Sequence, residues 1–578
     1  MKNTFVAILT LLVSLPLVAA ETLTDDVLFD PDHLIQVEVT MAPEDWQALR
    51  ISHRETGENF TQIVEKPYEY YPATVSIDGE KIGTVGIRKK GFFGSAVSTR
   101  PSLKLKMNYH EKGKTFAGHD RLTFNNNNQD LTRAQSFLVY QFMNDAGVKS
   151  PRSNLARIVL NGEDLGIYTH VESVRKPFVK RLFGSSKGDL WEGYAGDFTE
   201  SEYGRIVHKW GNDDAGESLQ ELYELLQSHD PIPLASFEEL LDLDAFITLW
   251  ASEVLIGHWD GYAGNRNNFY IFRPKNTGLF YFTPWGPDSA FADPGPFIGV
   301  PVPKSIKARG YLCERLWELP EVRARYRKEM QRLLDDVWNE KKLLAQLQHV
   351  RQMTRPYTEV PEAAFEKAAL SITQFIDARR GEIQAELDAP AADWPDLGAK
   401  FKPGAGKAML VRGEFQGVFT PPERDPMLRG ESESALFASI PASLIGTGEA
   451  QIEYTIEGET FKPFTSYGVR ATPGNPDYIR KGYPVIELIA SSDAGHPPWR
   501  LLLIMDPYQV VEGRNDLDID HFTVWAQLTQ GEPGSEGAQT TAFGISGSLE
   551  LDEFSRQPGA RLSGRFTLDM AAFREIRE

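Results

Sequence analysis

Between residues 389 and 406 the chain changes character: Pro, Gly, Ala and Asp dominate, ending in Gly404-Ala405-Gly406, and the residues beyond are strand-like with turn signals throughout. Such a segment continues neither helical nor strand periodicity and reads as a linker. The chain must therefore fold as separate units on either side of it. Its 578 residues require the same, because one hydrophobic core stops growing well below that length.

The first twenty residues carry Lys2, an apolar run over 5–13, Pro16 and the small-residue end Val18-Ala19-Ala20. That is the layout of a secretory leader cleaved near Ala20, which predicts an exported product: periplasmic, cell-surface or secreted. No later stretch is long and apolar enough to span a bilayer, so no transmembrane span is expected in the mature chain. A formal net charge of −20 argues against nucleic acid as a partner. The single cysteine, Cys313, excludes an internal disulfide and a multi-cysteine metal site, and its helical surroundings predict a buried residue.

Residues 27–174 read as an α+β unit. Residues 34–39 largely alternate apolar and polar, a short helix starts at Pro43, and a hairpin turns at Asp78-Gly79. Then come Lys89-Lys90-Gly91, Ser95, and the strand Ser102-Leu103-Lys104-Leu105-Lys106-Met107. A period of two puts Leu103, Leu105 and Met107 on one face and Lys104 and Lys106 on the other. Strand, glycine turn and lysine-bearing strand is an order that can cover phosphates with backbone N–H groups and neutralise them with an amine. Asp130 is placed to cap a helix from Leu131 to Ala146, and Asn161-Gly162 predicts a second hairpin.

Residues 175–388 read as mainly helical. A buried helix over 242–256 runs into His258-Trp259-Asp260-Gly261-Tyr262-Ala263-Gly264-Asn265, and strands at 269–272 and 279–282 come after it. His, Asp two positions later and Asn five beyond that repeat the spacing of the protein-kinase catalytic loop. There the Asp takes the proton of the attacking hydroxyl and the Asn holds a magnesium ion. Residues 407–578 read as a β-sandwich-like domain, and the alternating Asp516, Asp518 and Asp520 as one charged strand face.

In their order, these segments resemble the CotH kinase family, the spore-coat protein H type of atypical secreted kinase. The points of likeness are Ile87-Arg88-Lys89-Lys90-Gly91 with Ser95, the 101–106 strand, Gln129-Asp130 before a helix, Asn161-Gly162 through Tyr168 with Glu172, Asp260-Gly261-Tyr262 with Asn265 and Asn268, and Pro284-Trp285. The resemblance covers about residues 30–388. It implies an α+β, bilobal, atypical protein-kinase-like fold followed by the C-terminal all-β domain, with ATP and Mg or Mn as cofactors. It further implies transfer of the γ-phosphoryl group to Ser or Thr of an exported or surface protein. By position, Asp260 is the catalytic base, Asn265 a metal or phosphate ligand and Lys104 the phosphate-binding lysine, with Lys106 as second choice. Lys90, Gly91 and Ser95 lie near the phosphates, and Glu172 either contacts adenine or pairs with a lysine.

One position departs from the family's Pro-Trp-Asp-x-Asp: this chain has Pro284-Trp285-Gly286-Pro287-Asp288. Asp288 then takes the metal, or the chain is a catalytically impaired pseudokinase that binds partners at the cell envelope. The predicted helix after Asp130 also lacks the glutamate that usually pairs with the kinase lysine. The β-rich end is a third place for function, as an adhesion or carbohydrate-binding module.

Overall fold

The computed structural model describes residues 23–54, 67–91, 93–212, 217–292, 303–306, 308–358, 360–394, 408–419, 449–456, 459–461, 466–472, 483–491, 499–518, 523–530, 539–557 and 559–572. The leader at 1–20, Phe92, most of the linker, Asp520 and His521 lie outside them.

Seven strands form a closed barrel: β1 Leu34–Thr40, β2 Tyr71–Ile77, β3 Glu80–Lys90, β4 Ser102–Lys106, β5 Arg121–Asn125, β6 Ser153–Leu160 and β7 Glu163–Val171. Every pairing is antiparallel except β1 with β6, which closes the ring in parallel register from Leu34 opposite Leu155 to Val39 opposite Leu160. Closure leaves no free edge and fills the interior from alternate positions: Ile35, Val37 and Val39, then Leu103 and Leu105, are buried together, and Lys104 and Lys106 point the other way. Both predicted hairpins turn where expected, with Asp78, Gly79, Asn161 and Gly162 all at positive φ, as a two-residue turn of this hand requires.

Two short helices brace the barrel, α1 Asp25–Leu28 before β1 and α2 Pro43–Ile51 between β1 and β2. The next, α3, spans Gln135–Asp145 and so begins four residues later than expected. Asp130 does cap, but across a turn: its carboxylate accepts from Thr132 N, Thr132 Oγ1 and Gln135 N at 2.8, 2.6 and 2.7 Å. Arg133, at φ +60°, takes the chain into the helix only after that turn.

Beyond the barrel come α4 Lys176–Phe183, α5 Glu217–Leu226, α6 Leu234–Leu240, α7 Leu243–Leu255, α8 Tyr262–Asn265, α9 Tyr311–Trp317, α10 Pro320–Arg332, α11 Glu340–Thr354 and α12 Glu362–Leu387. All but α4 share one core with α3, built round Trp250, Trp317 and Tyr326, while Phe178 and Val179 of α4 pack in a smaller cluster with Leu190, Tyr270 and Phe272. This part holds the strands expected at 269–272 and 279–282 and two further ones at 188–193 and 206–210. A four-stranded sheet, ordered β11-β10-β8-β9, lies within it: β8 Gly188–Gly193, β9 Ile206–Trp210, β10 Phe269–Pro274 and β11 Tyr281–Pro284. Cys313 is buried. Among the described residues no helix is long and apolar enough to cross a membrane.

The C-terminal part is all β: β12 Ala408–Val418, β13 Glu449–Ile456, β14 Glu459–Phe461, β15 Ser466–Thr472, β16 Val485–Ser491, β17 Trp499–Met505, β18 Gly513–Asp518, β19 Val524–Gln530, β20 Gln539–Glu553 and β21 Arg561–Ala572. The expected two layers are one continuous ten-stranded sheet curled round a single core. Bulges in β19–β21 allow the bend. An isolated bridge joins Phe419, just after β12, to Ala471 on the end strand β15.

Candidate functional site

Helix α7 delivers the chain to the loop. Buried along almost its whole length, it is capped by Asp242 and ends where Gly257 takes φ +65°. Asp260 comes next, half-buried, and three asparagines converge on its carboxylate. Asn265 Nδ2 donates to Oδ1 at 2.7 Å, Asn268 Nδ2 donates to Oδ2 at 2.5 Å, and Asn267 Nδ2 lies 3.3 and 3.4 Å from the two oxygens. The one-turn helix α8 makes the first of these contacts possible, and Arg266 and Asn268 at positive φ turn the other two back. Burial pushes the Asp260 carboxyl up to about 6, Asp288 adds to the rise, and the asparagine bonds oppose it.

The loop is fixed from beneath by buried polar groups. Glu253 on α7 accepts from Ala263 N at 2.9 Å, and a Cβ on Gly261 would stand 2.4 Å from its carboxylate. Only glycine fits there. Tyr262 donates its hydroxyl to buried Asp197 at 2.9 Å, which also accepts from Tyr311 N at 2.7 Å. His258 is buried, and burial holds its imidazole down near 4, so it is neutral at pH 7.

The barrel supplies cations. Arg88 on β3 pairs directly with Lys104 on β4, and Lys90 lies one strand period beyond Arg88 on the same face. Lys90 Nζ donates to Asn125 Oδ1 and sits 5.8 Å from the centre of the Trp285 ring. Burial lowers Lys90 to about 8, with Asp288 opposing. It lowers Lys104 to about 7, with Arg88, Lys90 and Arg175 adding to the fall and Glu192 opposing. These half-buried cations stand against the carboxylates of Glu192 and Asp288, and the excess of positive charge on this face suits a polyanion.

Gly91, at φ +90°, turns the chain back on itself so tightly that a Cβ would stand 2.4 Å from Ser95 Cβ. Gly91 and Ser95 thus form one closed turn at the end of β3. Lys106, opposite Gly86, has its ammonium 5.5 and 5.7 Å from the Tyr70 and Tyr109 rings, a cation–π setting.

Glu172 pairs with two arginines and not with a lysine. Its fully buried carboxylate is ion-paired with Arg152 at 3.1 Å and Arg181 at 2.5 Å, tying β7 to α4. The carboxylate that faces Lys104 is Glu192 on β8, which accepts from Tyr194 at 2.5 Å and Tyr270 at 2.7 Å and pairs with Lys209 at 3.1 Å. Sequence reading missed it, because β8 is short and gives no alternation long enough to mark a strand.

Asp288 acts electrostatically on both sides. Burial raises its pKa, Lys90 opposes the rise, and Asp130 adds to it. Gly286, at φ +52°, packs against the loop: a Cβ there would stand 2.8 Å from Asn268 Oδ1. Among the described residues no group of three or more His, Cys, Asp or Glu forms a metal cluster. Two mutually repelling carboxylates beside an amide nevertheless fit the chemistry of Mg²⁺, which takes one or two carboxylates and completes its shell with phosphate and water.

A family model described as CotH kinase protein matches residues 87–388, more than half of the chain. The chain belongs to the CotH family. Inner spore coat protein H of Bacillus subtilis (strain 168) is 23% identical over 311 residues, 49% of this chain and 83% of that protein. The inner spore coat protein H-like protein of the same organism is 24% identical over 312 residues, 52% of this chain and 93% of that protein. Invasin CotH3 of Rhizopus delemar is 24% identical over 182 residues, 28% of this chain and 30% of that protein. The CotH match takes in Lys90, Lys104, Glu192, Asp260 and Asp288, and leaves the curled β-domain outside.

Proposed function

We propose that this CotH protein is an exported atypical kinase that transfers the γ-phosphoryl group of ATP to Ser or Thr of a surface or secreted protein. The barrel and the helical region then serve as the two lobes of a kinase-like arrangement, with ATP between the Lys90–Lys104 face and the Asp260 loop. The observation that carries the reading is Asp260, held by Asn265, Asn267 and Asn268. Export is supported by the leader-like first twenty residues and by relatives whose names place them in a spore coat or call them an invasin.

Above a pH of about 6 Asp260 is ionised and accepts the proton of the acceptor hydroxyl as it attacks. Its three amide partners fix the direction of the lone pair that does so. Lys104 and Lys90 neutralise phosphate oxygens, and the Gly91–Ser95 turn offers backbone N–H groups above them. Asp288 and Asn265 would hold Mg²⁺ or Mn²⁺, which when bound supplies further charge neutralisation at the phosphates.

Gly286 supports a second reading, a pseudokinase that binds envelope partners without chemistry, since glycine gives no ligand atom in the Pro-Trp-Asp position. Metal-dependent transfer of label from [γ-³²P]ATP to protein separates the two. Transfer that requires Asp260 supports the kinase and removes the pseudokinase; no transfer by wild type, with or without ATP binding, removes the kinase and leaves the pseudokinase.

A further inference from the structure

The segment from Gly94 to Arg100 is fastened along two edges. On the inner edge, Asn126 Nδ2 donates to Gly94 O at 3.0 Å and Arg100 O at 2.7 Å. On the outer edge the fastening comes from the β-domain, nearly four hundred residues later. Ser98 N donates to the Tyr483 hydroxyl at 3.0 Å, Ser98 Oγ donates to Asp506 Oδ1 at 2.9 Å, and the two hydroxyls lie 2.9 Å apart. A serine has one hydroxyl proton; with that committed to the carboxylate, Tyr483 must donate to Ser98 Oγ. The three bonds therefore have a single direction, set by Asp506. Asp506 is itself held by Tyr508 N at 2.8 Å and Gln509 Nε2 at 2.9 Å.

This contact belongs to a built interface. Ser98, Asp506 and Tyr483 are all buried. Arg50 stacks 3.8 Å from the Tyr508 ring centre while its Nε donates to Ser98 O at 3.1 Å. Lys89, next to Lys90, is buried and donates to the carbonyls of Arg50 and Ser52 at 2.7 Å each. On the other side, β17 is buried at all seven positions. Leu501, Leu503 and Met505 face the domain's own core, whereas Leu502 and Ile504 form a separate apolar cluster with Val485 and Tyr483. A strand covered on both faces is not the outside of a free-standing module.

We propose that the C-terminal β-domain is a fixed brace for the loop that carries Ser98, and that Tyr483 and Asp506 are positioning residues for nucleotide binding through Ser98. The second half rests on the kinase reading of the Lys90–Ser95 turn; the first does not. Backbone N–H groups can receive phosphate only where the loop is already ordered, and ordering it in advance removes that cost from the binding step.

The experiment uses the full chain and the variants Ser98→Ala, Tyr483→Phe and Ser98→Thr, with hydrogen exchange of residues 91–100 read in the absence of nucleotide and KM for ATP read beside kcat. Ser98→Ala and Tyr483→Phe each remove two of the three buried hydrogen bonds and are expected to speed exchange there about tenfold or more and raise KM by about fivefold or more, with kcat unchanged. Ser98→Thr, which keeps the hydroxyl, is expected to match wild type. Unchanged exchange in both deletions overturns the brace. Faster exchange with unchanged KM overturns the positioning role. If wild type neither binds nor turns over ATP, the kinase reading and the positioning role fall together, and exchange alone decides the brace.

Discussion

Asn265 donates its side-chain amide to Asp260 Oδ1 at 2.7 Å, so a five-residue spacing in the sequence is a direct contact in the fold. The bond also helps hold the Asp260 pKa down against burial, which pushes it to about 6. On the kinase reading the base must be ionised to accept a proton, so the rate of phosphoryl transfer is expected to fall as pH drops through about 6. Asn265→Ala is expected to move that acid limb to higher pH and lower kcat by about tenfold to hundredfold. A pH–rate profile of the two proteins reads both effects.

Lys104 is depressed to about 7, chiefly by burial and then by Arg88. Near pH 7.5 much of it is therefore neutral in the free protein. On the kinase reading phosphate oxygens restore the charged form, and ATP binding is expected to take up protons at that pH and to weaken as pH rises. Calorimetry in buffers of different ionisation enthalpy measures the uptake. Lys104→Met is expected to abolish most of it and to raise KM for ATP on the order of tenfold or more.

Glu253, buried under the loop, is pushed from 4.5 up to about 8, first by burial. Its folded value lies above its unfolded one. The stability this gives is fully present below about 4.5 and is lost as pH rises to about 8. Glu253→Gln cannot ionise and keeps an acceptor for Ala263 N. Between pH 5 and 8 the Tm of the variant is expected to rise relative to wild type, and a constant difference would exclude ionisation of Glu253 as the cause.

Restoring the family's aspartate does not repair the site. Gly286 has φ +52°, and a Cβ there would stand 2.8 Å from Asn268 Oδ1, the side chain that fixes Asp260. Gly286→Asp is expected to cost about 1 kcal/mol of stability from backbone strain alone. It should also lower transfer activity rather than raise it. Thermal melts and a labelling assay test the pair of outcomes.

What the sequence made legible was local. The alternation of Leu103, Leu105 and Met107 against Lys104 and Lys106, the turns at Asp78-Gly79 and Asn161-Gly162, and Asp260 with Asn265 each lie within a few residues, where period and turn chemistry act. Closure of the barrel by Leu34–Val39 against Leu155–Leu160 joins segments about 120 positions apart and leaves no local mark. The same holds for Glu192 facing Lys104, and for Asp506 holding Ser98. Glu172 was placed by likeness alone, and its two arginine partners, Arg152 and Arg181, are visible only once β7 and α4 are packed. The late start of α3 has a nearer cause: Asp130 caps equally well across a turn, so the residue announces a helix without fixing its first turn.

The measurement closest to the central claim is Mg²⁺- or Mn²⁺-dependent labelling of protein by [γ-³²P]ATP, wild type against Asp260→Ala, each checked for an intact thermal transition. The kinase account predicts Ser or Thr labelling by wild type that needs the metal and falls by about a hundredfold or more in the variant. No labelling by wild type, or equal labelling by Asp260→Ala, contradicts it.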